Sequence, residues 1–183
     1  MIQSLDSVAS QLHVVLRQTG HRIVLAESCT AGLVAASLAR LPGISEFLAG
    51  SAVVYQLETK HEWLQVDRQS LDDPGPVSRM VSEQMATGVL RTTPHATLGL
   101  SVTGHLGPGA PSEQDGTAWT TLAVRSTSEI RIMYSQLLQL DTVTASENEV
   151  ELRRQRQFAA AQLVMERCVR HLKDQSHNST SSQ

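Results

Sequence analysis

The chain has 183 residues, 18 acidic against 15 basic, and a formal net charge of −3. Hydrophobic residues at 40% suffice for one core, while aromatics at 3% leave no base-stacking platform. No basic run stands out, which argues against broad binding to nucleic acid or an anionic membrane.

No apolar run reaches the ~18 residues of a membrane span, and the N-terminus lacks the basic-then-apolar order of a signal peptide. The two cysteines, Cys29 and Cys168, lie far apart without metal-type spacing and read as reduced thiols in a cytoplasm. Neither a metal nor a cofactor is expected.

Residues 4–19 carry Leu5, Val8, Leu12, Val15 and Leu16 at amphipathic-helix spacing, ending at Gly20. Residues 22–26 read as a strand, and 29–40 as a helix stopped by Pro42-Gly43. Gly50 to Tyr55 is a second strand, and Leu57 to Leu64 a short helix. Asp72-Asp73-Pro74-Gly75-Pro76 must be a loop. A helix from Val77-Ser78 to about Arg91 follows, then a strand from Thr97 to Val102 and a Gly/Pro-rich loop at 103–115. Residues 117–125 and 130–139 alternate as a hairpin. Residues 146–173 form a last helix, with Leu152, Phe158, Ala159, Leu163, Val164, Cys168 and Leu172 available to a core. The expected domain spans residues 1–173, and residues 174–183 are too polar to pack and read as a disordered tail. Helices alternating with strands, plus a late strand pair, predict a single-domain α/β protein with a mixed, mostly parallel sheet.

The chemistry concentrates in Glu27-Ser28-Cys29-Thr30-Ala31-Gly32. A buried strand feeds a tight turn there, delivering three nucleophile-capable side chains to a helix start, whose free N–H groups attract negative charge. On the residues alone, Ser28 or Thr30 is equally an ordinary N-cap. Cys29 is the best intrinsic nucleophile but wants a histidine; His105 is conceivable, and simple burial is commoner. Lys60 is one of only two lysines, with Lys173, among the 15 basic residues. A desolvated lysine can lose its proton and serve as a base, which arginine cannot; a solvated helix lysine is the plainer reading. Tyr55 closes its strand, as a proton partner or as a ring in the core with a wet hydroxyl. Thr103-Gly104 with Gly107-Pro108-Gly109 could turn N–H groups toward an anion or form a flexible loop. No Walker or dinucleotide fingerprint is present.

Four segments in register, Glu27–Gly32, Val53–Lys60, Leu100–Gly109 and Gly116-Thr117-Ala118-Trp119, resemble the CinA C-terminal domain family. Its pattern runs Glu-Ser-Cys-Thr-Gly-Gly, Tyr-Ser-Asn-x-x-Lys, Thr-Gly-Ile-Ala-Gly-Pro-Gly and Gly-Thr-Val-Trp. The resemblance covers residues 5–170. It implies a three-layer α/β/α sandwich, without the additional N-terminal domain that longer relatives carry.

It also implies an amidohydrolase that turns nicotinamide mononucleotide into nicotinate mononucleotide and ammonia. Ser28 is then the nucleophile, Lys60 helped by Tyr55 the proton acceptor, and Cys29 structural. Amides around Thr30 and Ala31 would hold the oxyanion. Thr30, Ala31, Gly32, Thr103, Gly104, Gly107 and Arg153 would bind the substrate. A homodimer or higher homo-oligomer is expected, with no nucleic acid or membrane partner.

Ala31, Gln56-Leu57 and His105-Leu106 depart from the pattern, and Glu149 falls where a pocket arginine is expected. Arg153 matches the family's second arginine, and Arg154 or Arg156 could substitute for the missing one. An inactive nucleotide-binding module of the same fold is the alternative, ahead of a ligand-free dimerising domain.

Overall fold

The computed structural model describes residues 4–127, 129–140 and 148–180. Helix α1 (Leu5–Thr19) starts at Ser4, whose hydroxyl accepts from the Ser7 amide, and ends at Gly20 in the left-handed region. Strand β1 (Ile23–Glu27) follows, then α2 (Leu33–Ala39), β2 (Leu48–Val53), α3 (Leu57–Leu64) and α4 (Arg68–Asp72). The chain continues through α5 (Arg79–Thr92), β3 (Leu98–His105), β4 (Thr117–Arg125), β5 (Ile130–Gln139) and α6 (Glu149–Thr180).

The five strands are ordered β2-β1-β3-β4-β5. β1 pairs in parallel with β2 and β3, and the β3–β4 and β4–β5 pairs are antiparallel. All strands but β4 therefore point the same way. Every residue of β1 is buried, as expected of a strand covered on both faces. Ile23 and Leu25 join the core under α1, α2 and α6, while Val24 and Ala26 join the one under α3, α4 and α5. This period-two alternation makes the three layers. β1 leads through α2 to β2 on one side, and the chain returns to β3 on the other. The reversal opens a crevice at the carboxyl ends of β1 and β3, where α/β sheets bind their ligands.

Several boundaries differ from the sequence expectation. α2 begins at Leu33, not at residue 29, because Ala31 (φ 51°) and Gly32 (φ 92°) are left-handed and cannot continue a helix. β3 runs on to His105, paired with Thr117, so the glycine loop starts later. α4 has no counterpart among the elements read from the sequence; Asp67 caps it by accepting from the Ser70 amide at 3.1 Å. α6 is helical through Thr180, since polar composition alone places no Gly or Pro to stop it. The helix thus takes in residues 174–180 of the tail expected from residue 174; residues 181–183, like 146 and 147, lie outside the described set. Phe158 is exposed on α6 beneath the Arg154 guanidinium, not in the core.

Gly99 lets α5 approach the sheet: an added Cβ would run into the Ala86 carbonyl oxygen and press on Leu90. Gly99→Ala is expected to cost about 1–3 kcal/mol through overpacking, read as a lower midpoint in urea unfolding with an unchanged slope.

Candidate active site

The alternation of β1 decides which way its last residues face. Glu27 continues the Ile23–Leu25 face and meets α2. Ser28, whose amide extends the ladder to the Val102 carbonyl at 3.0 Å, turns toward α3. There Lys60 shares the inward side of α3 with Leu64, one turn on, and both are buried. The Lys60 Nζ donates to Ser28 Oγ at 2.9 Å and to the Val54 carbonyl at 2.9 Å. The lysine is only 2% exposed, and burial pulls its pKa down to about 8. A solvated helix lysine is thereby excluded.

Cys29 is also buried, and burial pushes its thiol up to about 12. It carries essentially no thiolate at neutral pH, and no hydrogen bond joins it to His105 among the described residues.

Ser28, Cys29, Tyr55, Lys60, Thr103, Gly104, Gly107 and Arg153 line one cavity of about 250 Å³ at the carboxyl end of the sheet. Leu57, Pro76, Val77 and Leu106 give it apolar walls. Thr103 is 1% exposed and donates its hydroxyl proton to the Pro76 carbonyl at 2.9 Å, so toward a ligand it can only accept.

Gly104 serves packing: an added Cβ would meet Ala118 Cβ and the Thr117 oxygen at 2.6 Å. Gly107, at φ 66°, leaves room for Arg156, whose guanidinium grips Asp115 bidentately at 2.8 and 2.9 Å. Arg156 thus ties the glycine loop to α6, outside the cavity.

Thr30, Ala31 and Gly32 do not line the cavity. Their groups are spent on the turn. Thr30 Oγ1 and the Gly32 amide donate to the Glu27 carboxylate, and the Ala31 amide donates to the Ser28 carbonyl at 3.0 Å. The Ala31 amide is therefore not available as an oxyanion donor. Gln157 of α6 braces the same turn, donating to the Cys29 and Thr30 carbonyls at 3.3 and 3.2 Å.

Tyr55 is 53% exposed at the rim. Its hydroxyl accepts from Arg153 and bonds neither Ser28 nor Lys60. Arg153 also donates to the Gly107 carbonyl, which holds its guanidinium across the cavity mouth. It is the arginine that reaches the cavity: Arg154 pairs with Glu151 at 2.7 Å on the surface, and Arg156 with Asp115. Glu149 is exposed at the first turn of α6 and is not part of the lining. The expectation that it faces the pocket is corrected, because the helix carries it one turn outward from Arg153. Asp115 and Gln157 are structural partners that sequence reasoning missed, as it missed the structural roles of Glu27 and of Arg156, which grips Asp115 in place of a substrate. Among the described residues no three His, Cys, Asp or Glu side chains gather as metal ligands, and no helix is long and apolar enough to cross a membrane.

A sequence profile of the CinA C-terminal domain matches residues 5–166. The chain belongs to the CinA C-terminal domain family. A CinA-like protein of Syntrophotalea carbinolica is 37% identical over 129 residues, 69% of this chain and 31% of its own length. One from Myxococcus xanthus is 41% identical over 120 residues, 64% of this chain and 28% of its own. The chain thus spans about a third of the length of these curated relatives. The fold matches a solved CinA superfamily protein of Klebsiella pneumoniae with TM-score 0.78 and 24% identity, covering 94% of this chain and 99% of that one. A competence/damage-inducible protein of Agrobacterium tumefaciens gives 0.76 and 24%, covering 93% and 99%. Over these CinA structures the likeness is one of fold.

Proposed function

We propose that this chain is a serine–lysine amidohydrolase acting on nicotinamide mononucleotide to give nicotinate mononucleotide and ammonia. The observation that carries the reading is the 2.9 Å contact of Lys60 Nζ with Ser28 Oγ inside a buried site that lowers the lysine pKa. The substrate comes from the resemblance to the family and is supported by a cavity with apolar walls, an arginine at its mouth and no carboxylate in its lining.

Neutral Lys60 takes the Ser28 hydroxyl proton as Oγ bonds to the carboxamide carbon. The protonated lysine then delivers that proton to the departing nitrogen, and ammonia leaves an acyl ester on Ser28. Water, deprotonated by Lys60, attacks the ester carbon; the carboxylate product departs and Ser28 recovers its proton. An amide donor facing the developing oxyanion is worth on the order of 3 kcal/mol, and the Ala31 amide is not that donor. Tyr55 stands outside this proton path and steadies Arg153.

Arg153 is the phosphate ligand in this reading, because a guanidinium matches phosphate bidentately. Arg153→Ala is expected to weaken nicotinamide mononucleotide binding by about 10- to 100-fold and to leave the unphosphorylated riboside unaffected. Glu149→Arg, outside the cavity, is expected to change neither. Calorimetric titration with both ligands checks this; equal losses for both would assign Arg153 to packing. The reading as a whole is tested by following ammonia release from nicotinamide mononucleotide with purified protein. No release, with binding intact, would leave the inactive module.

A further inference from the structure

The Glu27 carboxylate is 1% exposed and accepts five hydrogen bonds. Oε2 receives Thr30 Oγ1 at 2.7 Å and the amides of Gly32 and Val34 at 3.0 and 3.1 Å. Oε1 receives the Ala35 amide at 2.9 Å and Ser51 Oγ of β2 at 3.2 Å. A strand residue thus supplies the acceptor that α2 lacks, since its N-cap Gly32 offers no side chain. Helix starts ordinarily take that acceptor from the cap residue itself. Here it arrives from the residue that precedes Ser28.

Two consequences follow from that placement. The amides of the first turn of α2 are already taken by the Glu27 side chain, so it is not where a substrate phosphate binds. The turn also contains a non-glycine residue at positive φ, Ala31, a conformation that costs about 1–2 kcal/mol and persists only when its surroundings impose it. The Glu27 bonds impose it from both ends, through Thr30 and Gly32.

We infer that Glu27 is a positioning residue for Ser28: its carboxylate clamps β1, β2 and the first turn of α2 together, so that the nucleophile is held in line with Lys60. This role rests on the serine–lysine reading of the site. Reacting groups must sit close to their attack geometry, and a misplacement of about 1 Å can cost on the order of 100-fold in rate. Among the described residues no hydrogen bond joins Glu27 to Lys60, so its loss should displace Ser28 without changing the burial that lowers the lysine pKa.

The test is Glu27→Gln, which keeps size and replaces one acceptor oxygen with a donor. Two readouts are taken: steady-state ammonia release from nicotinamide mononucleotide, and the rate of Ser28 labelling by a fluorophosphonate probe, each across pH. The expected result is a fall of about 100-fold in kcat and in labelling rate, with KM within threefold and every active site still titrated by the probe. The pH midpoint should stay near 8. Wild-type labelling rates overturn the inference. So does a midpoint that climbs toward that of free lysine, since this reports a site opened to water and not a displaced nucleophile. If wild type labels at Ser28 faster than Glu27→Gln yet releases no ammonia, the positioning role stands and the amidase reading falls. Absence of labelling in wild type overturns both. Should Glu27→Gln not fold, Thr30→Val and Ser51→Ala each remove one donor and keep the carboxylate. Each is expected to slow labelling several-fold, and wild-type rates in both overturn the role.

Discussion

Ser28→Ala is expected to lower ammonia release from nicotinamide mononucleotide by about 10³-fold or more, because the atom that forms the acyl bond is gone. Binding should survive, since Arg153 and the walls of the cavity are untouched. Stability should change by less than about 1 kcal/mol: Lys60 Nζ loses one acceptor but keeps the Val54 carbonyl. Cys29→Ala is the matched control. Its thiol, pushed up to about 12 by burial, supplies essentially no thiolate, so turnover within about threefold of wild type is expected. Kinetics of both variants, with thermal unfolding as the check on folding, decide the matter. An inactive Cys29→Ala beside an active Ser28→Ala would transfer the nucleophile to the thiol and end the serine mechanism.

The joint that carries Ser28 is legible in sequence because two periods meet there. The β-branched run of β1 fixes which residues face which layer, and the motif marks where the strand stops. Lys60 is legible as unusual by composition, but its burial is not: it follows from Leu64 beside it and α5 behind it, which only the packing displays. The role of Glu27 hides for a related reason. A helix start normally names its own cap, and nothing local says that a strand residue five positions upstream of Gly32 fills that place. The Arg156–Asp115 pair joins residues 41 positions apart in sequence. Tyr55 and Arg153, 98 apart, present the same difficulty: the sequence offers Ser28 and Lys60 as partners of Tyr55, and the structure pairs it with Arg153. The far end of α6 misleads in the opposite sense, since its polarity suggested a tail while no residue in it breaks a helix.

Lys60→Arg is expected to be as inactive as Ser28→Ala although it keeps the positive charge, because guanidinium holds its proton at any working pH. In wild type, with the lysine near 8, only roughly a tenth of molecules carry the neutral base at pH 7. The rate should therefore rise about tenfold per pH unit below that value and level off above it. The same shift sets a stability cost. The folded-state pKa lies below the ordinary 10.5, so between about 8 and 10.5 the unfolded chain binds the proton that the folded chain has released. Stability must then rise with pH through that window and be penalised in full below it, by on the order of 3 kcal/mol. Lys60→Met removes the buried amine and keeps the volume. It should abolish turnover and yet raise the unfolding temperature at pH 7 by on the order of 5 °C, a gain that disappears toward pH 10. Thermal melts of wild type and Lys60→Met at pH 7 and pH 10, beside the pH–rate profile, measure both sides of the exchange. A Lys60→Arg enzyme that still turns over, or a Lys60→Met protein with no gain at pH 7, would show that Lys60 keeps the pKa of an ordinary lysine in the folded protein and acts through its field and packing alone.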